Sequence, residues 1–240
     1  MAKSSPPTAR HVKLALEELA DPQRALVSTR FFKSGPGEYG EGDKFIGVTV
    51  PQQRNVAKQF RNLELEQIDK LLKESIHEFR LTAIFILVDQ FKRAKIRPEK
   101  ADIVDFLLQR TQYINNWDLV DSCAPQIVGE YLSDEKDHGL LLKLAKSKSL
   151  WEQRIAVVAN QSLIKHGQFE SILKIAEKLL LHDHDLIHKA VGWMLREMGQ
   201  QDLSLLRSFL DQHSRRMPRT MLRYAIEKLT PTERQKYMKR

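Results

Sequence analysis

Apolar positions recur along this chain at intervals of three and four residues. Val12, Leu16 and Leu19 form one stripe with Ala15 beside it; Leu65, Ile68, Leu71 and Leu72 form another. This spacing places side chains on one face of an amphipathic helix. Nowhere does the chain sustain the alternation of a strand, and no Asn-Gly or Asp-Gly pair marks a hairpin. Breakers come at short intervals: Asp21-Pro22, Arg97-Pro98, Gly167, Gly199 and Thr230-Pro231 each predict a helix boundary. Roughly 12 to 14 helices of ordinary length fit this pattern.

A longer period lies beneath the helical one. The basic or aromatic helix openings Arg80, Trp117, Arg154, Lys189 and Arg223 follow one another at steps of 37, 37, 35 and 34 residues. Three of them lead into the apolar stretches LTAIFILV, IAVV and AVGWML. A helix-only period of about 35 residues predicts stacked helical hairpins. The Trp, Leu-Gly and Tyr pattern of TPR units is absent and HEAT units are somewhat longer, so the likeness is to an architecture and not to a consensus. The expectation is an all-α, HEAT-like or armadillo-type helical repeat solenoid, one domain spanning 1–240, whose inner helices line a concave basic face.

Composition narrows the classes. A single Cys among 240 residues excludes a disulfide scaffold and a Cys-based zinc site. A hydrophobic content of 42% suffices for a packed core. The longest apolar run, Ala83 to Val88, is far short of the roughly 18 residues of a membrane span, and the N-terminus lacks the apolar stretch of a signal peptide. A reduced, cytoplasmic protein without membrane contact is expected. The net charge of +8 is uneven: residues 189–240 hold 12 Lys and Arg against 5 Asp and Glu, whereas the first 188 residues carry a net of only +1. A basic end of this kind suits a polyanion such as nucleic acid, and equally a solvated helical surface.

Few residues carry a distinct chemical signal. Ser34 to Gly47 holds five of the ten glycines, and Gly35, Gly37 and Gly40 have G-x-G-x-x-G spacing. No strand precedes them, no helix opens at the last one, and Glu38, Glu41 and Asp43 would repel phosphate, so an ordered loop is the better reading. Thr49 and Gln52 have capping-box spacing around Pro51. In NNWDLVDS, Trp117 and Asp121 would share a helix face and form a half-aromatic, half-anionic wall suited to a positive centre. Asp118 points elsewhere and fits a capping role. On spacing alone a core Trp and a surface acid explain that pair better. Arg154 could contact phosphate, pair with Asp121, or be an ordinary surface Arg. Trp193 is a core candidate on the same grounds, with Gly192 beside it allowing close approach of another backbone or a ligand. Trp151, opening an apolar helix, is the better core Trp. His182, Asp183, His184, Asp185 and His188 cluster, but without H-E-x-x-H or a clear third ligand they read as a capped turn with no metal site. Cys123 reads as a small buried hydrophobe.

Four segments in order, RFFKSGPGEYGEGDKFIGVTVPQQR, NNWDLVDS, SLWEQRIAVVANQ and HKAVGWMLRE, resemble the AlkD-type DNA alkylation repair family over roughly residues 25 to 230. The resemblance implies a HEAT-like repeat DNA glycosylase that cleaves the N-glycosidic bond of cationic N3- and N7-alkylpurines in double-stranded DNA. It implies Asp121 as the catalytic carboxylate, Trp117 and Trp193 as aromatics against the lesion, and Arg154 on the DNA backbone. The +7 end adds Lys189, Arg215, Arg216, Arg219 and Arg223 as backbone grips. Phe31 stands where the best-studied branch has Tyr, and the glycine loop is longer here. No cofactor and no obligate protein partner are implied, and a monomer is expected. A non-catalytic HEAT-like module that binds damaged or structured DNA, and a protein–protein scaffold, remain the alternatives.

Overall fold

The computed structural model describes residues 6–135 and 137–239, whose regular elements are all helices, with one isolated β-bridge and no strand among them. They form two compact units, the first running to Cys123 and the second starting at Ala124. No helix among the described residues is long and apolar enough to cross a membrane.

The first unit contains α1 (Ala9–Glu17), α2 (Pro22–Phe31), α3 (Val50–Gln59), α4 (Leu65–Leu72), α5 (His77–Arg93), α6 (Arg97–Leu108) and α7 (Trp117–Cys123). Its axis is α5, which α3, α4 and α7 pack against. The predicted stretch LTAIFILV is the buried middle of that helix. An element apolar on every side must be enclosed on every side, because each exposed Leu or Ile would forgo about 1.5–3 kcal/mol of transfer free energy. The α1 stripe behaves as predicted at Val12 and Leu16, but Leu19 lies past the helix end and faces solvent.

The second unit contains a π-helical turn at Ala124–Gly129, followed by α8 (Glu130–Leu132), α9 (Gly139–Leu144), α10 (Leu150–Val158), α11 (Asn160–Lys165), α12 (Glu170–Lys178), α13 (Asp185–Gln201), α14 (Leu203–His213), α15 (Arg219–Ala225) and α16 (Pro231–Met238). Pro125 has no N–H to give to the helix ladder, and the wide turn accommodates it. Ser162 donates its hydroxyl to the Pro125 carbonyl at 2.8 Å. Here α13 is the axis, packed by α10, α11, α12, α14 and α15.

Most breakers act as read. Asp21 caps α2 by accepting the Gln23 and Arg24 amides at 3.0 and 3.1 Å. Thr49 with Gln52 and Thr230 with Glu233 form capping boxes, each with Pro in the first turn. Gly167 adopts a left-handed φ of 72° just past α11. Gly199 is the exception. It sits inside α13, where a Cβ would meet the Leu206 side chain at 2.3 Å, so it serves helix contact and not termination. Gly192, likewise, lets the backbone of α15 approach: a Cβ there would lie 2.4 Å from the Met221 carbonyl oxygen. The repeat landmarks Arg80, Trp117, Arg154, Lys189 and Arg223 all fall within the first five residues of their helices.

Candidate active site

The segment Asn115–Cys123 carries the first pair of predicted site residues. Fully buried Asn116 accepts the Trp117 amide through its side chain at 2.9 Å, and its carbonyl receives the Val120 amide at 3.2 Å, which opens α7. Leu119, Val120 and Cys123 point into the core; Trp117, Asp118, Asp121 and Ser122 are half-buried. Trp117 and Asp121 therefore lie one turn apart on the open side of one short helix. None of the three tryptophans is fully buried: Trp117, Trp193 and also Trp151, in the half-buried first turn of α10, each keep part of the ring exposed. The Trp117 ring stacks on Phe32, with centroids 5.5 Å apart and planes at 25°, and meets Phe31 edge-on at 5.9 Å. Phe31 itself is 62% exposed.

Behind this surface is a charge network that sequence reading missed. His77 is 2% exposed, its Nδ1 lying 3.0 Å from Asp43 Oδ2 and its Nε2 2.7 Å from Asp118 Oδ2. Arg80 Nη2 lies 2.6 Å from Asp43 Oδ1, and Arg80 Nη1 donates to Asn115 Oδ1 at 2.7 Å. Asn115 and Asn116 add their amide N–H groups to Asp43 at 3.1 and 3.4 Å. Burial opposes charge on the imidazole, but attraction and hydrogen bonding to Asp118, with the Asp43 bond, outweigh it and push the His77 pKa up to about 9. Burial works against the Asp43 carboxylate in the same way; His77 and Arg80 overcome it and hold its pKa below the ordinary 3.8. At neutral pH two cations thus face two anions and the quartet is neutral, the condition under which buried charge is tolerated. Asp118 is therefore His77's partner more than the cap it was expected to be, although it also accepts the Leu119 amide.

The glycine-rich segment supplies Asp43. Lys44 makes a single parallel bridge with Ile76, its N–H on the Ser75 carbonyl and its C=O receiving the His77 amide. The buried Glu78 carboxylate accepts the Gly47 amide at 2.7 Å and the Ile46 amide at 3.1 Å. Gly37, Gly42 and Gly47 have positive φ, as an ordered loop requires. Glu38 accepts the Gly35 amide and Glu41 the Gly37 amide, both at 3.0 Å. The Gly35 and Gly37 amides are thus engaged by the loop's own acids and are not directed at an external anion. A usable signal was present for the network: polar HEFR opens an otherwise apolar helix, and polar residues on a helix enclosed on all sides must find buried partners.

The remaining predicted residues lie in the second unit. Arg154 on α10 is only 5% exposed and donates to the Leu186 carbonyl in the first turn of α13 at 2.7 Å. Lys189 pairs with Asp185 across one turn of α13 at 2.7 Å. Trp193 is half-buried one turn further on and donates its indole N–H to Glu197 at 3.1 Å. Arg215, Arg216, Arg219 and Arg223 are exposed; Arg219 also donates to the Met238 carbonyl at 2.9 Å. The histidine cluster is a capped turn. His184 accepts the Leu186 amide at the start of α13, His182 meets Gln153 at 2.8 Å, and His188 donates to the His182 carbonyl. The cap is thus a histidine and not an aspartate. Among the described residues no group of three or more His, Cys, Asp or Glu could hold a metal ion. Cys123 is buried, as expected.

The fold and this polar-aromatic surface describe an all-helical protein whose helices recur at near-constant spacing. The family model for DNA alkylation repair enzymes matches residues 12–229, and the chain belongs to that family. A solved structure described as a predicted DNA alkylation repair enzyme from Enterococcus faecalis superposes with a TM-score of 0.68 over 88% of this chain and 97% of that one. At 16% identity that likeness concerns the fold. No curated protein matches the chain. Family membership gives the protein a role in DNA alkylation repair, with DNA as the substrate.

Proposed function

We propose that this protein is a monofunctional DNA glycosylase that hydrolyses the N-glycosidic bond of cationic N3- and N7-alkylpurines in double-stranded DNA. The observation that supports this most is the placement of Trp117 and Asp121 one turn apart on the half-exposed side of α7, in a chain of the alkylation repair family. Alkylation at N3 or N7 makes the purine cationic, so it departs as a neutral base and needs no general acid. As the bond breaks, positive charge develops on the sugar with oxocarbenium character, as in glycoside hydrolysis. Asp121 stabilises that charge and orients the attacking water; the faces of Trp117 and Trp193 add attraction through their ring quadrupoles. Water adds to the sugar carbon, and the products are the free base and an abasic site in an unbroken strand.

In this reading Arg215, Arg216, Arg219, Arg223 and Lys189 hold the phosphates. Arg154, buried on the Leu186 carbonyl, supports the first turn of α13 from below. The protein acts as a cytoplasmic monomer without cofactor. The test is base release from duplex DNA containing 7-methylguanine. Asp121→Asn is expected to keep its helical signal and DNA affinity while losing at least about a hundredfold in release rate, the scale of removing one preorganised electrostatic group. Wild-type-like release by this variant would overturn the assignment of Asp121. DNA binding with no release by the wild-type protein would favour a non-catalytic binding module instead.

A further inference from the structure

We propose that His77 is a positioning residue for the proposed catalytic face of α7, acting through Asp118 and Phe32 with the glycine-rich loop as its fixed support; this rests on the reading of Trp117 and Asp121 as the working pair. Trp117 stands in the first turn of α7, which continues through the π-helical turn into α8, and the amides of a first turn have no partners within the helix. Its orientation must come from tertiary contacts. Two routes lead to it, and both start at His77. The first is polar: the His77 Nε2–H reaches Asp118, the residue adjacent to Trp117, at 2.7 Å. The second is aromatic: the Phe32 ring lies 4.9 Å from the imidazole and 5.5 Å from the Trp117 indole, and stacks on the Phe45 ring at 5.2 Å.

The other end of the tether is equally fixed. His77 Nδ1 is held by Asp43, and Asp43 is held in turn by Arg80, Asn115 and Asn116. Asp43 and Phe45 both come from the loop that Glu78 and the Lys44–Ile76 bridge pin to the start of α5. The loop therefore works as a frame behind α7. The imidazolium is the one member that bonds to loop and α7 at once through two N–H donors, which a neutral side chain with a single donor cannot reproduce. Of the two acids three residues apart, Asp118 is the one that ties α7 to His77.

The test uses the full-length protein with His77→Gln, Asp118→Asn and the double variant. Each single variant is expected to slow single-turnover release of 7-methylguanine by on the order of tenfold to a hundredfold, the cost of a small misplacement of catalytic groups. DNA affinity and far-ultraviolet circular dichroism should stay at wild-type values. The double variant should lose no more than the slower single one, because both changes cut the same tether. Wild-type rates in folded single variants, or losses that multiply, would overturn the proposal. Hydrogen exchange at the Leu119 and Val120 amides gives a readout that needs no activity. Faster exchange there, with exchange in α5 unchanged, supports the tether even if the protein releases no base, whereas unchanged exchange refutes it. Should His77→Gln fail to fold, Asp118→Asn, at the edge of the network, carries both measurements.

Discussion

The two long helices α5 and α13 each run for 17 residues and each forms the axis of its unit, yet they open in opposite ways. In α5 the polar opening His77, Glu78 and Arg80 is buried and knit into loop and helix partners. In α13 the opening Asp185 and Lys189 pair with each other at the surface. Arg80 and Lys189 are equivalent landmarks of the repeat, but the first helps build a buried scaffold and the second pairs with Asp185 at the surface. A recurring sequence position therefore specifies where a helix begins and not what its charge does. That is decided by what packs over it: α5 has the long loop across its start.

The contrast predicts a steep difference in cost. Arg80→Ala leaves Asp43 buried with half its counter-charge and should destabilise by about 3–5 kcal/mol in urea unfolding, the cost of breaking a buried pair from one side. A loss below 1 kcal/mol would mean that the network relaxes or takes up water, and the contrast would collapse. An intermediate effect is expected from pH. Asp43, Asp118 and Arg80 are the charged groups that face His77. Because the folded pKa is raised from 6.5 to about 9, its stabilisation is complete below pH 6.5 and is lost as pH rises through about 9. The melting temperature should fall across that window, and His77→Gln should flatten the fall; an identical slope in the variant would place the titration elsewhere. Asp43 works on the other side, its contribution present above pH 3.8 and lost as pH falls further. The smallest effect is Lys189→Ala, under about 1 kcal/mol for an exposed pair within one helix turn.

Some of the site was legible without coordinates. Helical spacing placed Trp117 and Asp121 on one face, the capping chemistry of Thr49-Val50-Pro51-Gln52 located one helix start, and the breaker Thr230-Pro231 marked another boundary. These are local facts, governed by the pitch of the helix and the unpaired amides of its first turn. Other readings failed for a single reason. Gly199 looks like a terminator only while its neighbours in space are unknown, and Leu206 explains it. The His77 network was hidden because its members come from residues 43, 77, 80, 115, 116 and 118, separated by stretches no periodicity spans.

By itself the sequence determined that this protein is built from helices at a nearly constant spacing, that its C-terminal end is basic, and that one helix carries an indole and a carboxylate a turn apart. Backbone hydrogen bonding and side-chain period act over a few residues, so they can be read in a line. Only the tertiary structure decided which of two acids three residues apart pairs with a buried imidazole, which arginine is buried, and what the glycine-rich loop supports. Those outcomes depend on desolvation and on pairing of charges brought together by packing, and a carboxylate's role changes entirely with whether an imidazolium lies 2.7 Å from it.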